Sequence, residues 1–340
     1  MNSLLNFPEA LLQWEDFAKH KAFTLLERYR ERILSFDDDI QGTGATACAA
    51  LLTAMRIKKS SFKEQRFTLV GMGQAGVGIA MSIAAILREE GLDDEEIRKR
   101  FCVVDQQGAL VEGDPAIEPW QHPFVTRKGR VVEWKLESPD RISMMDVLRN
   151  HRPTVLIGVT ARRGIFDEAV LQQMAKNDPL PVILALSNPT SKTECTPEEV
   201  AKATDGRFLM ATGSPFPCVQ TPSGERCISQ SNNMFIFPGV GLGALVARAQ
   251  KVTDQMFVAG AKALSGMVTP EQESKGALLP ATKDIREVSF RVARAVATEA
   301  RDAKLGRTLD DAQLEAVIRK AQWQPRFYPY RPGNPANGKV

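Results

Sequence analysis

The chain has 340 residues, 43% of them hydrophobic and 25% charged, with a formal net charge of +3. That length suits one large domain or two, with enough apolar side chains for a sizeable core. So small a net charge gives no footing for nucleic-acid or membrane-surface binding, and no apolar run reaches membrane-spanning length.

The opening "MNSLLNFPEALLQWEDF" lacks a basic stretch and a small-residue cleavage site, so it is not read as a secretion signal. Its "QWEDF" sets Glu15 beside Asp16. Residues 17–34 carry apolar positions near helical spacing and read as an amphipathic packing helix. Then "FDDDIQGTGA" sets Asp37, Asp38 and Asp39 in a row. Adjacent carboxylates repel and are costly to desolvate together. Two readings stay open at this point. One is an acidic helix start on a solvated surface. The other, favoured by the flanking Trp14, Phe17, Phe36 and Ile40, is a half-buried site for a hard cation such as Mg²⁺ or Mn²⁺.

Residues 66–70 ("RFTLV") read as a strand and residues 74–90 as a helix, with "GMGQAG" between them. Gly71, Gly73 and Gly76 fit the G-x-G-x-x-G pattern in its required context, a strand before and a helix after. The free N–H groups at the helix start suit a dinucleotide pyrophosphate. The next strand, residues 101–105 ("FCVVD"), ends in Asp105, which suits two free ribose hydroxyls and repels a 2′-phosphate. Asp105 falls later than the usual interval of about twenty residues, and the charged "EEGLDDEEIRKR" accounts for the delay. Gln106 and Gln107 follow where a basic residue would favour NADP, so NAD is favoured over NADP. The alternative for Asp105 is a plain strand-end cap.

Further strands are expected over residues 154–159, 181–187 and 206–212. Short apolar runs without polar alternation, separated by helices, predict an α/β, doubly wound, parallel sheet of Rossmann type, flanked by helices of a partial substrate domain. "LSNPTS" puts Asn188 just past a strand, where ligands of such sheets sit. "SNNMFIFPGVGLG" puts Asn232 and Asn233 ahead of a helix, and either could equally be a turn or cap residue. Residues 284–303, with Val288, Val292 and Val296 four apart, read as another packing helix. The ending, residues 323–340, is rich in Pro, Gly and Asn and reads as irregular. The five cysteines are scattered and form no CxxC pair, which predicts a reduced, cytoplasmic protein without structural zinc. His20, His122 and His151 and the lone Cys195 are assigned no role.

Taken together, "QWEDFAKHKAFTLLERYR", "FDDDIQGTGA", "GMGQAGVGIA", "LSNPTSKTECTPEE", "ATGSPF" and "SNNMFIFPGVGLG" closely resemble the malic enzyme family in order and spacing. The resemblance implies oxidative decarboxylation of L-malate to pyruvate and CO₂ with NAD reduction. It implies Glu15, Asp16 and Asp39 as ligands of Mg²⁺ or Mn²⁺, with Asp38 behind them. It implies Asn188 and Asn233 at the substrate and Asn188 and Asn232 toward the cofactor. Gly71, Gly73, Gln74, Ala75, Gly76 and Asp105 would hold the rest of the NAD. By the same resemblance, residues 1–37 are a remnant of a substrate and metal domain, and 38–232 the NAD-binding domain. Residues 233–304 return to the substrate domain and 305–340 extend from it. A homodimer or homotetramer is expected.

Family members carry a further N-terminal segment with a Tyr acid, a Lys base and a malate-binding Arg. No stretch here matches it. Tyr29, Tyr328 and Tyr330 stand in other contexts, as do Lys19 and Lys21. The chain is therefore expected to be catalytically incomplete alone. Two other outcomes stay in view: a malolactic enzyme releasing lactate, and an NAD-binding module without catalysis.

Overall fold

The structure, a computed structural model, describes residues 9–325 and 327. Two short strands, β1 (Leu12–Trp14) and β2 (Ser35–Asp37), pair in parallel around α1 (Lys19–Tyr29). A single π-helical turn, Asp38–Gly42, leads into α2 (Thr43–Lys58). β3 (Phe67–Val70), α3 (Gln74–Glu89), α4 (Asp94–Arg100) and β4 (Phe101–Asp105) follow. Then come β5 (Gly108–Ala109), α5 (Lys128–Val131), α6 (Met144–Asn150), β6 (Val155–Gly158), α7 (Glu168–Asn177) and β7 (Val182–Ala185). After α8 (Pro197–Ala203) and β8 (Leu209–Thr212), a hairpin of β9 (Val219–Thr221) and β10 (Gly224–Arg226) precedes β11 (Ser229–Gln230).

The main sheet has the order β11-β8-β7-β6-β3-β4-β5, parallel except for β5. From β3 the chain moves outward to β4, then crosses back to β6 on the other side. The strand order therefore reverses between β3 and β6, which opens a crevice at their carboxyl ends. This is the doubly wound, Rossmann-type architecture expected from the buried apolar runs. Alternate residues explain why no polar alternation shows. Phe67, Leu69, Val103, Val155 and Ile157 enter one core, while Val70, Cys102, Val104 and Leu156 enter a second on the opposite face.

Four more helices that reach the cores are α9 (Phe237–Ala247), α10 (Asp254–Ser265), α12 (Ile285–Asp302) and α13 (Asp311–Ala321), with the short α11 (Pro270–Ser274) among them. Val288, Val292 and Val296 of α12 are buried, as their spacing predicts. Residues 305–325 do not simply extend away. They include α13, whose Leu314 and Ile318 are buried against α9 and α12. Most of the irregular ending, with Tyr328 and Tyr330, lies outside the described residues.

One close approach sets the site. Gly78 of α3 lies against the carbonyl of Ile40, so that a Cβ there would collide with the backbone of the acidic turn. The acids are thereby pressed onto the helix that the glycine loop begins.

The cysteine expectation needs correction. Cys218 and Cys227 form a disulfide, with Cα atoms 4.2 Å apart. They flank β9 and β10, and antiparallel pairing of those strands brings the two ends of the hairpin together. The remaining Cys48, Cys102 and Cys195 are free and buried.

Candidate functional site

β1 and β2 run in register with Trp14 opposite Asp37, so the residues that leave the two strands leave side by side. Those residues are Glu15 and Asp16 from one strand and Asp38 and Asp39 from the other. Asp16 turns through a left-handed conformation (φ 55°), which Asp tolerates better than most residues. Its backbone N–H donates to Asp39 Oδ2 at 2.8 Å. One carboxylate oxygen from each of Glu15, Asp16 and Asp39 can be chosen so that all lie within 4.8 Å of one another. Asp39 is half-buried, and the other two are exposed.

Behind them, Asp37 and Asp38 are buried. Asp37 Oδ1 accepts from the Ile40 N–H at 2.9 Å and caps the turn. Asn233, far along the chain, donates its amide to Asp38 Oδ2 at 2.9 Å and to the Asp38 carbonyl at 3.1 Å. One oxygen on each acid, Asp37 Oδ2 and Asp38 Oδ1, is buried without a partner among the described residues. Burial raises Asp38 to about 7, against the Asn233 hydrogen bond, and the charges of Glu15, Asp39 and Asp37 add to the rise. Burial likewise raises Asp37 to about 6, with Asp39 and Glu15 adding. Asp39 is raised by burial, opposed by the hydrogen bond from Asp16.

These acids face a cavity of about 590 Å³. Glu15, Asp16, Asp38 and Asp39 line one side of it, and Asn188, Asn232 and Asn233 line another. Gln74 and Ala75, at the start of α3, close it toward the glycine loop. Among the described residues, no Lys, Arg or His is in the lining. A hard cation fits this donor set: three convergent carboxylates, all oxygen, beside buried carboxylate oxygens with nothing to bind. Gln74 donates from Nε2 to the Phe17 carbonyl at 2.7 Å, which ties the loop to the acid-bearing segment. Asn232 spends its Oδ1 on the Met234 N–H at 2.9 Å, as a cap.

The glycine loop divides the predicted residues between two cavities. Gly71 and Gly73 face a second one of about 510 Å³, together with Asp105. Gly71 takes φ 96°, which disfavours any side chain, and a Cβ at Gly76 would strike the Gly71 carbonyl. A Cβ at Gly73 would meet no atom of the described residues within 4 Å, so the room in front of it is open among them. Asp105 stands at the end of β4, its Oδ1 accepting from the Gln106 N–H at 2.8 Å.

The sequence assigns no role to three residues that matter here. Glu194 is fully buried and accepts from the Thr160 N–H and hydroxyl (2.8 and 2.9 Å) and from the Ser187 N–H (3.2 Å). It thereby joins the loops after β6 and β7 and holds Asn188 at the cavity. Arg141 and Arg162 reach the second cavity from loops that nothing in the sequence marks. Cys195 is buried, and burial raises its thiol far above the usual range, which keeps it from acting as a thiolate.

The chain matches the family model described as malic enzyme, NAD binding domain, over residues 40–301. It is 43% identical over 325 residues to the NAD-dependent malic enzyme of Pseudomonas aeruginosa, covering 96% of this chain and 58% of that protein. The NAD-dependent malic enzyme of Photorhabdus laumondii is 41% identical over 325 residues, covering 96% of this chain and 57% of its own. The chain thus spans somewhat over half the length of these relatives. Among solved structures, malic enzyme from Pyrococcus horikoshii superposes with a TM-score of 0.72 at 26% identity, covering 94% of this chain and 69% of that one. Malic enzyme from Entamoeba histolytica shares the fold, with a TM-score of 0.73 at 22% identity over 94% of this chain and 63% of its own.

Proposed function

The chain belongs to the malic enzyme family, and from that premise we propose that it serves the metal-dependent oxidative decarboxylation of L-malate to pyruvate and CO₂, with NAD as the hydride acceptor. One observation carries the reading. Three carboxylate donors converge beside the start of α3 and three asparagines, in a cavity whose described lining residues include no cationic side chain.

In this reading Glu15, Asp16 and Asp39 hold Mg²⁺ or Mn²⁺, and Asp38 sits behind them, held by Asn233. The chemistry the ion supplies when bound is polarisation of the C2 oxygen and stabilisation of the charge that departing CO₂ leaves. NAD supplies the hydride acceptor. Gly73 leaves room for the pyrophosphate and Asp105 meets the adenosine ribose. Asn188 and Asn233 orient malate and the nicotinamide end without adding charge. Among the described residues, neither lining includes a Lys, Tyr or His. The reading assigns these described residues binding and orientation, and it proposes slow turnover by the 340 residues assayed alone.

The test is calorimetric titration of the purified chain with Mn²⁺ and with NAD, followed by product analysis with L-malate. Binding of both, with slow formation of pyruvate and NADH, supports the reading. Failure to bind Mn²⁺ overturns the metal assignment. Rapid turnover overturns the assignment of binding alone. Lactate without net NADH replaces the reaction with the malolactic one.

A further inference from the structure

The hairpin of β9 and β10 carries a second set of metal-binding donors, chemically unlike the acidic one. Val219 pairs with Arg226 and Gln220 with Glu225, so Cys218 and Cys227 form the next pair outward. Their Cα atoms stand 4.2 Å apart, close to the spacing of a non-hydrogen-bonded antiparallel pair, where facing side chains lie nearest. Alternation along the strands then sets Cys218, Gln220, Glu225 and Cys227 on one face. Val219 points the other way and is buried, while Cys218, Gln220 and Glu225 are exposed. Sγ of each cysteine and one carboxylate oxygen of Glu225 all lie within 4.8 Å of one another. The turn thus supplies the proximity that a C-x-x-C spacing would supply in sequence. Lys275 Nζ stands 3.5 Å from Glu225 Oε2 with both side chains well exposed, and such a pair is opened at little cost. Cys218 and Gln220 also border a cavity of about 580 Å³ beside Glu198 and Asp205, so the face is open to small solutes. The three donors lie outside the linings of both cavities described above.

We propose that this face is a redox-gated site for a divalent cation of the Zn²⁺ class, held by Cys218, Cys227 and Glu225 once the bridge is reduced. The proposal stands apart from the malate reading and uses none of its residues. A low-molecular-weight thiol supplies the reduction. The S–S bond breaks, two electrons and two protons convert the bridge to two thiols, and the reductant leaves as its own disulfide. The cation then displaces both thiol protons and forms two metal–thiolate bonds, with a third bond to the Glu225 carboxylate and the fourth position left to water. The donor sets separate the two sites. Thiolates select Zn²⁺ or its analogue Co²⁺, whereas the all-oxygen set at Glu15, Asp16 and Asp39 suits Mg²⁺ or Mn²⁺. In the oxidised chain the two sulfurs are bonded to each other, so bridge and ion exclude one another.

The test is Co²⁺ titration of the full 340-residue chain, reduced with dithiothreitol and freed of it by anaerobic gel filtration. Excess Mg²⁺ is present to occupy the acidic site. The readout is the near-ultraviolet charge-transfer band that thiolates give with Co²⁺ and carboxylates do not, so neither malate nor turnover is involved. The reduced chain is expected to gain the band at one Co²⁺ per chain and to lose it when Zn²⁺ is added. The oxidised chain is expected to show none. Cys218→Ser combined with Cys227→Ser is expected to abolish the band, with Cys48, Cys102 and Cys195 left in place as internal controls. Glu225→Gln is expected to keep the band and to weaken Co²⁺ at least about tenfold. A reduced wild-type chain without the band overturns the proposal, and so does a band that survives the double serine variant. Unchanged Co²⁺ affinity in Glu225→Gln overturns the three-donor site. The comparison of oxidised with reduced wild type needs no variant, so a misfolded variant cannot rescue a negative result.

Discussion

Asn233 donates its side-chain amide to Asp38 across 195 residues of sequence, at 2.9 Å. The bond joins the acidic turn after β2 to the segment that opens α9, and it gives a buried carboxylate one of its few donors. Asn233→Ala is expected to destabilise the metal-free chain by about 1–3 kcal/mol, the usual result of leaving a buried polar group unsatisfied. Asp38→Asn keeps an acceptor for Asn233 and removes one of several mutually repelling acids, so stability is expected not to fall. Urea unfolding of both variants checks this. Equal losses would mean that the pair acts only through packing.

The convergence of Glu15, Asp16 and Asp39 predicts a measurable cation site. Mn²⁺ at a hundred times its dissociation constant should stabilise the chain by about 2.7 kcal/mol, seen as a shift in thermal unfolding that a chelator reverses. Asp39→Asn should weaken Mn²⁺ at least about tenfold, by calorimetry or by the spin-resonance signal of free Mn²⁺. Unchanged Mn²⁺ affinity in that variant would remove Asp39 from the ligand set.

Much of this was legible in the chain because the physics is local. The strands of the central sheet are short buried runs, and the glycine loop keeps its strand before and helix after. The acids were legible as a group, since side-by-side carboxylates among aromatic residues ask for a cation. What stayed hidden depends on distant pairing. The Cys218–Cys227 bridge exists only because the chain between them turns back as a hairpin. Glu194 reads as one more acid ahead of a helix, yet it bonds two loops that meet only in the folded sheet. α13 was missed because only two of its side chains, Leu314 and Ile318, are buried.

Gly73 separates folding from binding. A Cβ there meets nothing within 4 Å among the described residues, and its φ of −77° suits any residue. Gly73→Val should therefore leave the thermal unfolding midpoint nearly unchanged. It should also abolish NAD binding, because the branched side chain would fill the space left for the pyrophosphate. Circular dichroism and calorimetry on one preparation read both. NAD binding that survives the valine would show that the cofactor does not pass over this glycine.

His151 supplies the pH dependence. It caps α6 with its ring buried among Phe67, Arg100 and Arg130. Nδ1 accepts from Arg130 Nη2 at 2.5 Å, and Nε2 donates to the Arg100 carbonyl at 3.2 Å, an arrangement that only neutral imidazole can make. Burial first, and the charge of Arg130 second, lower its pKa to about 3. The folded value thus lies below the unfolded one, near 6.5. Between the two values the unfolded chain binds the extra proton. This contribution to stability is therefore complete above about pH 6.5 and is lost progressively as pH falls toward 3. The slope from a single proton is at most about 1.4 kcal/mol per pH unit. His151→Gln cannot take up that proton, so the variant's urea-unfolding free energy should fall less steeply than wild type from pH 7 to 4. The carboxylates titrate alike in both proteins and cancel in the difference. Parallel curves for the two proteins would show that His151 is protonated as readily in the folded chain as in the unfolded one.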